Sequence, residues 1–336
     1  MMKLLRLGFI FSMIALICFL FACAEMAPTV KPTAQPEKKT TIRIGSPFKA
    51  GHILCDAAEK FKELITQRSG GRIAVQIEAG TKSEEEINKL NSTGALEMQS
   101  NGTMYIQVFA PPYYFVSAPY VMKDWDHYVR VWDGKLGQAA RQTVEQKGNV
   151  KFVGIVYRGL RQTTAKKPIY TPADLYGVKL RLPNVATWIA VWKAMDATPV
   201  PLTLPELYAG LKTGKADASE GDLPQIASFK LDEVQSHLII TNHLVQTGGM
   251  LINKPFFDRL PRADQELIVR AAKDACDWAN TKMKNGELAL LIDLQRKGMQ
   301  VVIPDAESFR AKAKPAVEEL FTKEWPVTTW AEVLAQ

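Results

Sequence analysis

Between Thr41 and Gly80 the hydrophobic period of the sequence changes twice. TIRIGS alternates as a strand. HILCDAAEKFKELITQRSGG then carries Leu54, Ala57, Phe61, Leu64 and Ile65 at helical spacing up to Gly70 and Gly71, and RIAVQIEAG alternates again at Ile73, Val75 and Ile77. Strand, helix, strand in that order is a parallel crossover unit, because parallel neighbours need a long connection between them. The pattern limits the chain to α/β architectures.

The alternation continues to the C-terminus. A helix is predicted around SEEEINKLNST, a strand at ALEMQSNG, a Pro- and aromatic-rich connection at FAPPYYFVSAPYV, one helix over about 126–147 and an apolar strand at NVKFVGIVYRG. GVKLRLPN, the helix NVATWIAVWKAMD, ATPVPL, the helix LPELYAGLKTG and ADASEGD repeat the order, with later strands at HLIITNH and GGMLINK. From about 260 to 298, Leu267, Ile268, Ala271, Ala275, Trp278, Met283, Leu288, Leu291 and Leu294 keep a helical spacing for longer than a small lobe is wide, with Gly286 as a kink or break. Such a helix braces two lobes, and 336 residues with 47% hydrophobic content can bury two medium cores. The final helix, DAESFRAKAKPAVEELFTKE, holds Pro315 as a kink or division.

The start belongs to no lobe. Lys3 and Arg6 precede LGFIFSMIALICFLFA, a positive n-region and an apolar h-region, so residues 1–22 read as an export signal. Leu20-Phe21-Ala22-Cys23 resembles a lipobox, and Ala22-Cys23-Ala24 also fits an ordinary small-x-small cut; lipidation of Cys23 is the reading adopted, with residues 23–40 as a Pro-rich flexible tether. The folded part then lies outside the cytoplasm, held at the membrane through that anchor. Cys55 and Cys276 sit in helical patterns without metal-type spacing and read as buried free thiols, with pairing left open.

The formal charge of +7 is scattered among acids with no basic face of interleaved aromatics, which speaks for solubility and not for nucleic acid. The 4 histidines fall in no nucleophile-elbow or metal-ligand spacing, and the glycine pairs lack the spacing and lysine of a phosphate loop. No catalytic residue, metal or cofactor is therefore expected. What remains is arginine near strand ends: Arg158, Arg161 and Arg181. In GVKLRLPN, Val178, Leu180 and Leu182 occupy one face and Arg181 the other, and a parallel sheet covered by helices ends in a crevice where ligands bind. A guanidinium fork fixes a carboxylate in distance and orientation.

YRGLRQTTAKKPIYTPADLYGVKLRLPN, ATPVPLTLPELYAGLKTGKADASEGD and GGMLINKPFFDRLPRADQELIVRAA, in that order, resemble the solute-binding proteins of tripartite ATP-independent periplasmic (TRAP) transporters, of the dicarboxylate- and sialic-acid-binding type. The resemblance runs from about residue 41 to the end. It implies a two-lobed periplasmic-binding-protein-like fold with crossing hinge strands, closing on a small organic acid that passes to small and large membrane permease subunits. It implies that Arg181 is the main carboxylate anchor, with Asn184 and Arg161 as neighbours. Leu204 stands where an aromatic often closes the pocket. Gly221 stands where the family carries a ligand-contacting asparagine, so that Glu220 and Asp222 are read as acceptors for a ligand hydroxyl or ammonium. Trp188 reads as pocket wall or core. His52, Asn101 and Thr103 match ligand-facing loops of the first lobe. The lobes are expected at 41–158 with 247–286, and at 159–246 with 287–336. An exported enzyme on a small organic acid and an ABC-type receptor are the alternatives.

Overall fold

A computed structural model describes residues 39–336. The export signal and the lipidation of Cys23 lie outside the described residues. The first lobe opens with β1 (Thr40–Ser46), α1 (Ile53–Arg68), β2 (Ile73–Ala79), α2 (Glu84–Ser92) and β3 (Met98–Asn101). α3 (Met104–Phe109), α4 (Trp125–Asp133) and α5 (Lys135–Gly148) lead into the long strand β4 (Val150–Ala165). The second lobe holds β5 (Lys179–Leu182), α6 (Ala186–Ala194), β6 (Thr198–Pro201), α7 (Leu204–Lys212), β7 (Ala218–Asp222) and α8 (Leu223–Ser228), and β8 (His237–Asn253) returns from it. α9 (Lys254–Asp258), α10 (Arg262–Arg296), β9 (Gln300–Val302), α11 (Ala306–Lys323) and α12 (Trp330–Leu334) complete the chain.

The strands form one sheet in the order β2-β1-β3-β8-β4-β7-β5-β6, with β9 beside β8. β1 pairs in parallel with β2 and β3, and β5 with β6 and β7, as crossover units require. β4 and β8 are antiparallel and run through both halves. β3 pairs with the Gly249–Ile252 end of β8, whereas β7 pairs with the Arg161–Ala165 end of β4. Two strands thus cross between two lobes, and α10 packs on α1 of the first lobe, on β4 and on α8 of the second.

Several elements differ from expectation. The helix expected over 126–147 is two, because Gly134 adopts an extended conformation and caps α5. HLIITNH and GGMLINK are one strand, joined through buried Val245, Gln246 and Thr247. Gly286 does not break α10: a glycine inside a helix costs only about 1 kcal/mol, which the packed face absorbs. Pro315 likewise stays inside α11. Cys55 and Cys276 are separate buried thiols.

A candidate carboxylate site in the interlobe cavity

Arg158 and Arg161 lie three apart on β4, a spacing that puts side chains on opposite faces of a regular strand. The pairing of β4 with β8 shifts between Tyr157 and Gly159, so Arg158 is an extra residue in a bulge. Gly159 turns the chain there at φ +95, where a Cβ would lie 2.7 Å from Glu287 Oε1. The bulge restores a common face, and both arginines line one cavity.

Glu220 and Asp222, two apart on β7, face these arginines. Arg161 forks onto Glu220 through Nε to Oε2 and through Nη2 to Oε1, the latter at 2.7 Å. Arg158 Nη2 donates to Asp222 Oδ2 at 2.6 Å. Each carboxylate also meets a histidine: His243 Nε2 lies 3.2 Å from Glu220 Oε2, and His52 Nε2 lies 3.3 Å from Asp222 Oδ1. Burial holds both imidazoles below their ordinary value, His52 at about 4, so they are neutral at pH 7. Burial alone would raise the two carboxyls, but Arg161 and His243 hold Glu220 down at about 2, and Arg158 and His52 hold Asp222 lower still. Aromatic faces finish the clamps, Arg158 over Phe48 at 4.4 Å and Arg161 over Trp188 at 4.9 Å.

Arg181 differs from both. It comes from β5, where Leu180 and Leu182, with Val178 just before the strand, side the core as the alternation predicts, and it is 1% exposed. Nε and Nη2 donate to the carbonyl of Leu202 at 2.9 and 2.6 Å, which fixes the plane of the guanidinium. No carboxylate among the described residues lies within ion-pair distance of it. Burial pulls it down to about 10, with Glu220 opposing and Arg161 adding to the fall. It is a buried, oriented cation that lines the cavity with Arg158 and Arg161.

The other expected residues divide. Trp188, Leu204 and Thr103 line the cavity, Trp188 donating its Nε1 to the Ser117 carbonyl at 2.6 Å and Thr103 sharing a 2.6 Å hydrogen bond with Ser117. Asn184 does not reach it: its side chain is exposed, and Pro183 and Val185 stand at the wall. Asn101 is spent on the fold, donating to the Glu84 carbonyl, Asn88 and Gln99 and accepting from Gly102 N. Glu220 and Asp222 are not open acceptors but the fixed counter-charges of Arg161 and Arg158, and His52 caps α1 through Nδ1 while its Nε2 stands 3.3 Å from Asp222 Oδ1 without a hydrogen bond. Arg158 is buried and does not face solvent.

Among the wall residues not read from the sequence are Glu84 in the first turn of α2, Gln225 in α8 and Gln246 on β8. Gln225 follows from Gly221, where a Cβ would stand 2.5 Å from Gln225 Nε2, so the missing side chain is what lets a carboxamide in from one helical turn further on. Among the described residues no cluster of three or more histidine, cysteine or acidic side chains could hold a metal ion.

Compared with known families, residues 44–324 match the bacterial extracellular solute-binding protein family 7, DctP. The chain belongs to this family. It is 28% identical over 293 residues to the sialic acid-binding periplasmic protein SiaP of Vibrio cholerae, covering 87% of this chain and 91% of that one. With a solute-binding protein of Roseobacter denitrificans it shares 31% over 286 residues, 80% and 85% of the two chains. A solved TRAP periplasmic solute-binding protein from Roseobacter denitrificans with bound L-galactonate has a TM-score of 0.83 at 28% identity, over 89% of this chain and 100% of that one. One from Polaromonas with bound D-erythronate reaches 0.82 at 25%, over 88% and 99%. This family 7 receptor is a periplasmic protein that captures small organic acids, with the two-lobed fold its strand order describes.

Proposed function

We propose that the receptor closes its lobes on the carboxylate of a small organic acid with Arg181 as the principal anchor, Arg161 and Arg158 beside it, and the Thr103 hydroxyl, the Gln225 amide and the Trp188 and Leu204 walls shaping the rest. The observation that carries this reading is Arg181 itself: buried at the cavity wall, fixed in plane by one carbonyl, and without the acidic partner that each of the other two arginines has. A guanidinium in that state gains more from an incoming carboxylate than one already paired. His52 and His243 are buried and neutral, each with a carboxylate beside it, which fits binding without turnover. In the whole cell the acid passes to small and large TRAP permease subunits, and lipid at Cys23 keeps the receptor near them. The lobes are assigned as 41–158 with 247–286 and 159–246 with 287–336; the last turn of the chain docks back on α4 and the residues before it, where His127 Nε2 lies 2.8 Å from the Val333 carbonyl and Lys123 Nζ 2.8 Å from that of Leu334.

A thermal-shift screen of organic acids finds a ligand, because binding only the folded state raises the melting temperature. Calorimetry then compares variants. Removing one partner of a buried pair costs about 3–5 kcal/mol, so Arg181→Ala is expected to weaken binding at least roughly a hundredfold. Arg181→Lys keeps the charge, loses the fork and also binds poorly. Near-native affinity in a folded Arg181→Ala protein would remove Arg181 from the site.

A further inference from the structure

His52 sits where the two lobes meet. It caps α1 of the first lobe, its Nδ1 accepting from Leu54 N at 3.1 Å. A nitrogen that accepts carries no proton, so the neutral ring keeps its single proton on Nε2, 3.3 Å from Oδ1 of Asp222 in the second lobe. Phe48 stacks on the ring at 3.9 Å, and the side chain is 0% exposed.

A second proton has one place to go, Nδ1, where it would face the Leu54 N–H and strip α1 of its cap at the positive end of the helix dipole. Asp222 offers little in return: Oδ2 is held by Arg158, and Oδ1 already accepts from Gln225 N at 2.9 Å as the cap of α8. The other charges around the ring do not reverse this. Arg158, from β4, opposes a charge on His52; Asp56 on α1 favours one but is paired with Lys282; and Lys49, whose carbonyl accepts from His52 N, turns its ammonium to Phe229. Burial is the largest influence and holds the imidazole at about 4 against an ordinary 6.5. Opening the lobes takes Asp222 away and admits water, which caps Leu54 N–H and solvates an imidazolium, so the ordinary value returns.

We propose that His52 is an acid-operated release: the closed cleft holds only its neutral ring, and a proton on that ring opens the lobes and frees the bound acid. The inference rests on the reading that the ligand is held between closed lobes, and it leaves the choice of anchor untouched. Closure sheds a proton from His52, so affinity is full above pH 6.5 and falls by up to about tenfold per unit on the way down to about 4. Other titrating groups of the cavity act differently. Burial raises the carboxyl of Glu84, which therefore takes up a proton on closure and favours binding in acid. His243 keeps its partners Glu220 and Thr241 within the second lobe, whichever way the lobes move.

Calorimetry between about pH 7.5 and about pH 5 tests the release with gluconate, lactate and pyruvate, which stay ionised over that range, and with any tighter acid from the thermal-shift screen that does the same. Wild-type affinity is expected to fall roughly twentyfold across the range. His52→Asn keeps a side-chain oxygen for the Leu54 N–H and does not titrate, so its affinity, whatever its value, should be level over the same range. If His52→Asn does not fold, NMR titration of the imidazole in the unmodified protein carries the test: the ring should titrate near its ordinary value without acid and move toward about 4 at saturation. Equal falls in wild type and His52→Asn, or one His52 value with and without bound acid, overturn the release and leave the carboxylate site standing. If no acid of the screen binds at neutral pH, the carboxylate site is overturned and the release with it.

Discussion

Glu220 sets the charge balance of the cavity, because one carboxyl holds Arg161 through both arms of its fork and meets His243 from the other side. Its folded value of about 2 lies below the ordinary 4.5. A depressed acid contributes stability that is present above the unfolded value and is lost as pH falls through the folded one. Between pH 4.5 and about 2 the wild-type protein should therefore lose stability steeply, and Glu220→Gln, less stable at pH 7, should show a flatter limb over that window. Urea unfolding at a series of pH values reads this directly, and limbs of equal slope would remove Glu220 from the acid transition. The carboxylates were visible in ADASEGD, but their partners were not. Which side of β4 an arginine takes depends on a one-residue bulge, and periodicity assumes there is none. Arg181 was legible because β5 is short, regular and parallel, so alternation alone assigns its face. Glu84 was hidden in a run of three glutamates that reads as the charged first turn of a helix, and nothing in the run says which of them turns inward.

At the scale of elements, β4 and β8 carry the connection between lobes, and α10 repairs what the bulge breaks. Asn280 Oδ1 accepts from Tyr157 N at 2.6 Å and its Nδ2 donates to the Ile155 carbonyl at 3.2 Å. Two turns further along, Glu287 Oε1 accepts from Leu160 N at 3.1 Å. Backbone groups freed from the ladder thus find partners on the bracing helix. Gly159→Ala must hold a side chain at φ +95 and push Glu287 aside, which should cost more than about 1 kcal/mol. Asn280→Ala leaves two backbone groups unmatched and should cost about 1–3 kcal/mol. Unfolding midpoints equal to wild type in both variants would show that the bulge needs no support from α10. The full lengths of these strands escaped the hydrophobic pattern for a physical reason. Their middles are polar side chains that satisfy one another inside the molecule, such as Thr163 with Thr241 at 3.2 Å and Gln162 Nε2 with Asn242 Oδ1 at 2.6 Å, so the apolar alternation stops where the ladder does not. The crossover units at either end were fully legible, since both faces of their strands are apolar or alternate cleanly.

For the whole molecule, the lobes of this structure meet across the cavity. Trp188 Nε1 donates to the Ser117 carbonyl at 2.6 Å, His52 Nε2 stands 3.3 Å from Asp222 Oδ1, and the Lys49 ammonium sits 4.9 Å from the centre of the Phe229 ring. Closure in this form has a cost at one point: Arg181 loses water and gains no acid of the protein's own, which is why burial pulls it down to about 10. Opening rehydrates that charge, and with Arg181 as the proposed anchor a ligand carboxylate would offset the same cost from within. Binding and closure are then one equilibrium, biased by the group the ligand brings. Moving such an equilibrium from 1:99 to 99:1 takes about 5.5 kcal/mol of differential affinity, close to the ~3–5 kcal/mol at stake in a buried ion pair. Small-angle scattering should accordingly show a smaller radius of gyration at saturating ligand. A sharper consequence concerns the protein without ligand. Arg181→Met keeps most of the side-chain volume and removes the charge that opposes closure, so this variant should bind the acid poorly and yet be more compact than wild type before any ligand is added. If instead the free variant and free wild type scatter alike, while wild type still contracts on binding, then the unpaired guanidinium is not what holds the cleft open.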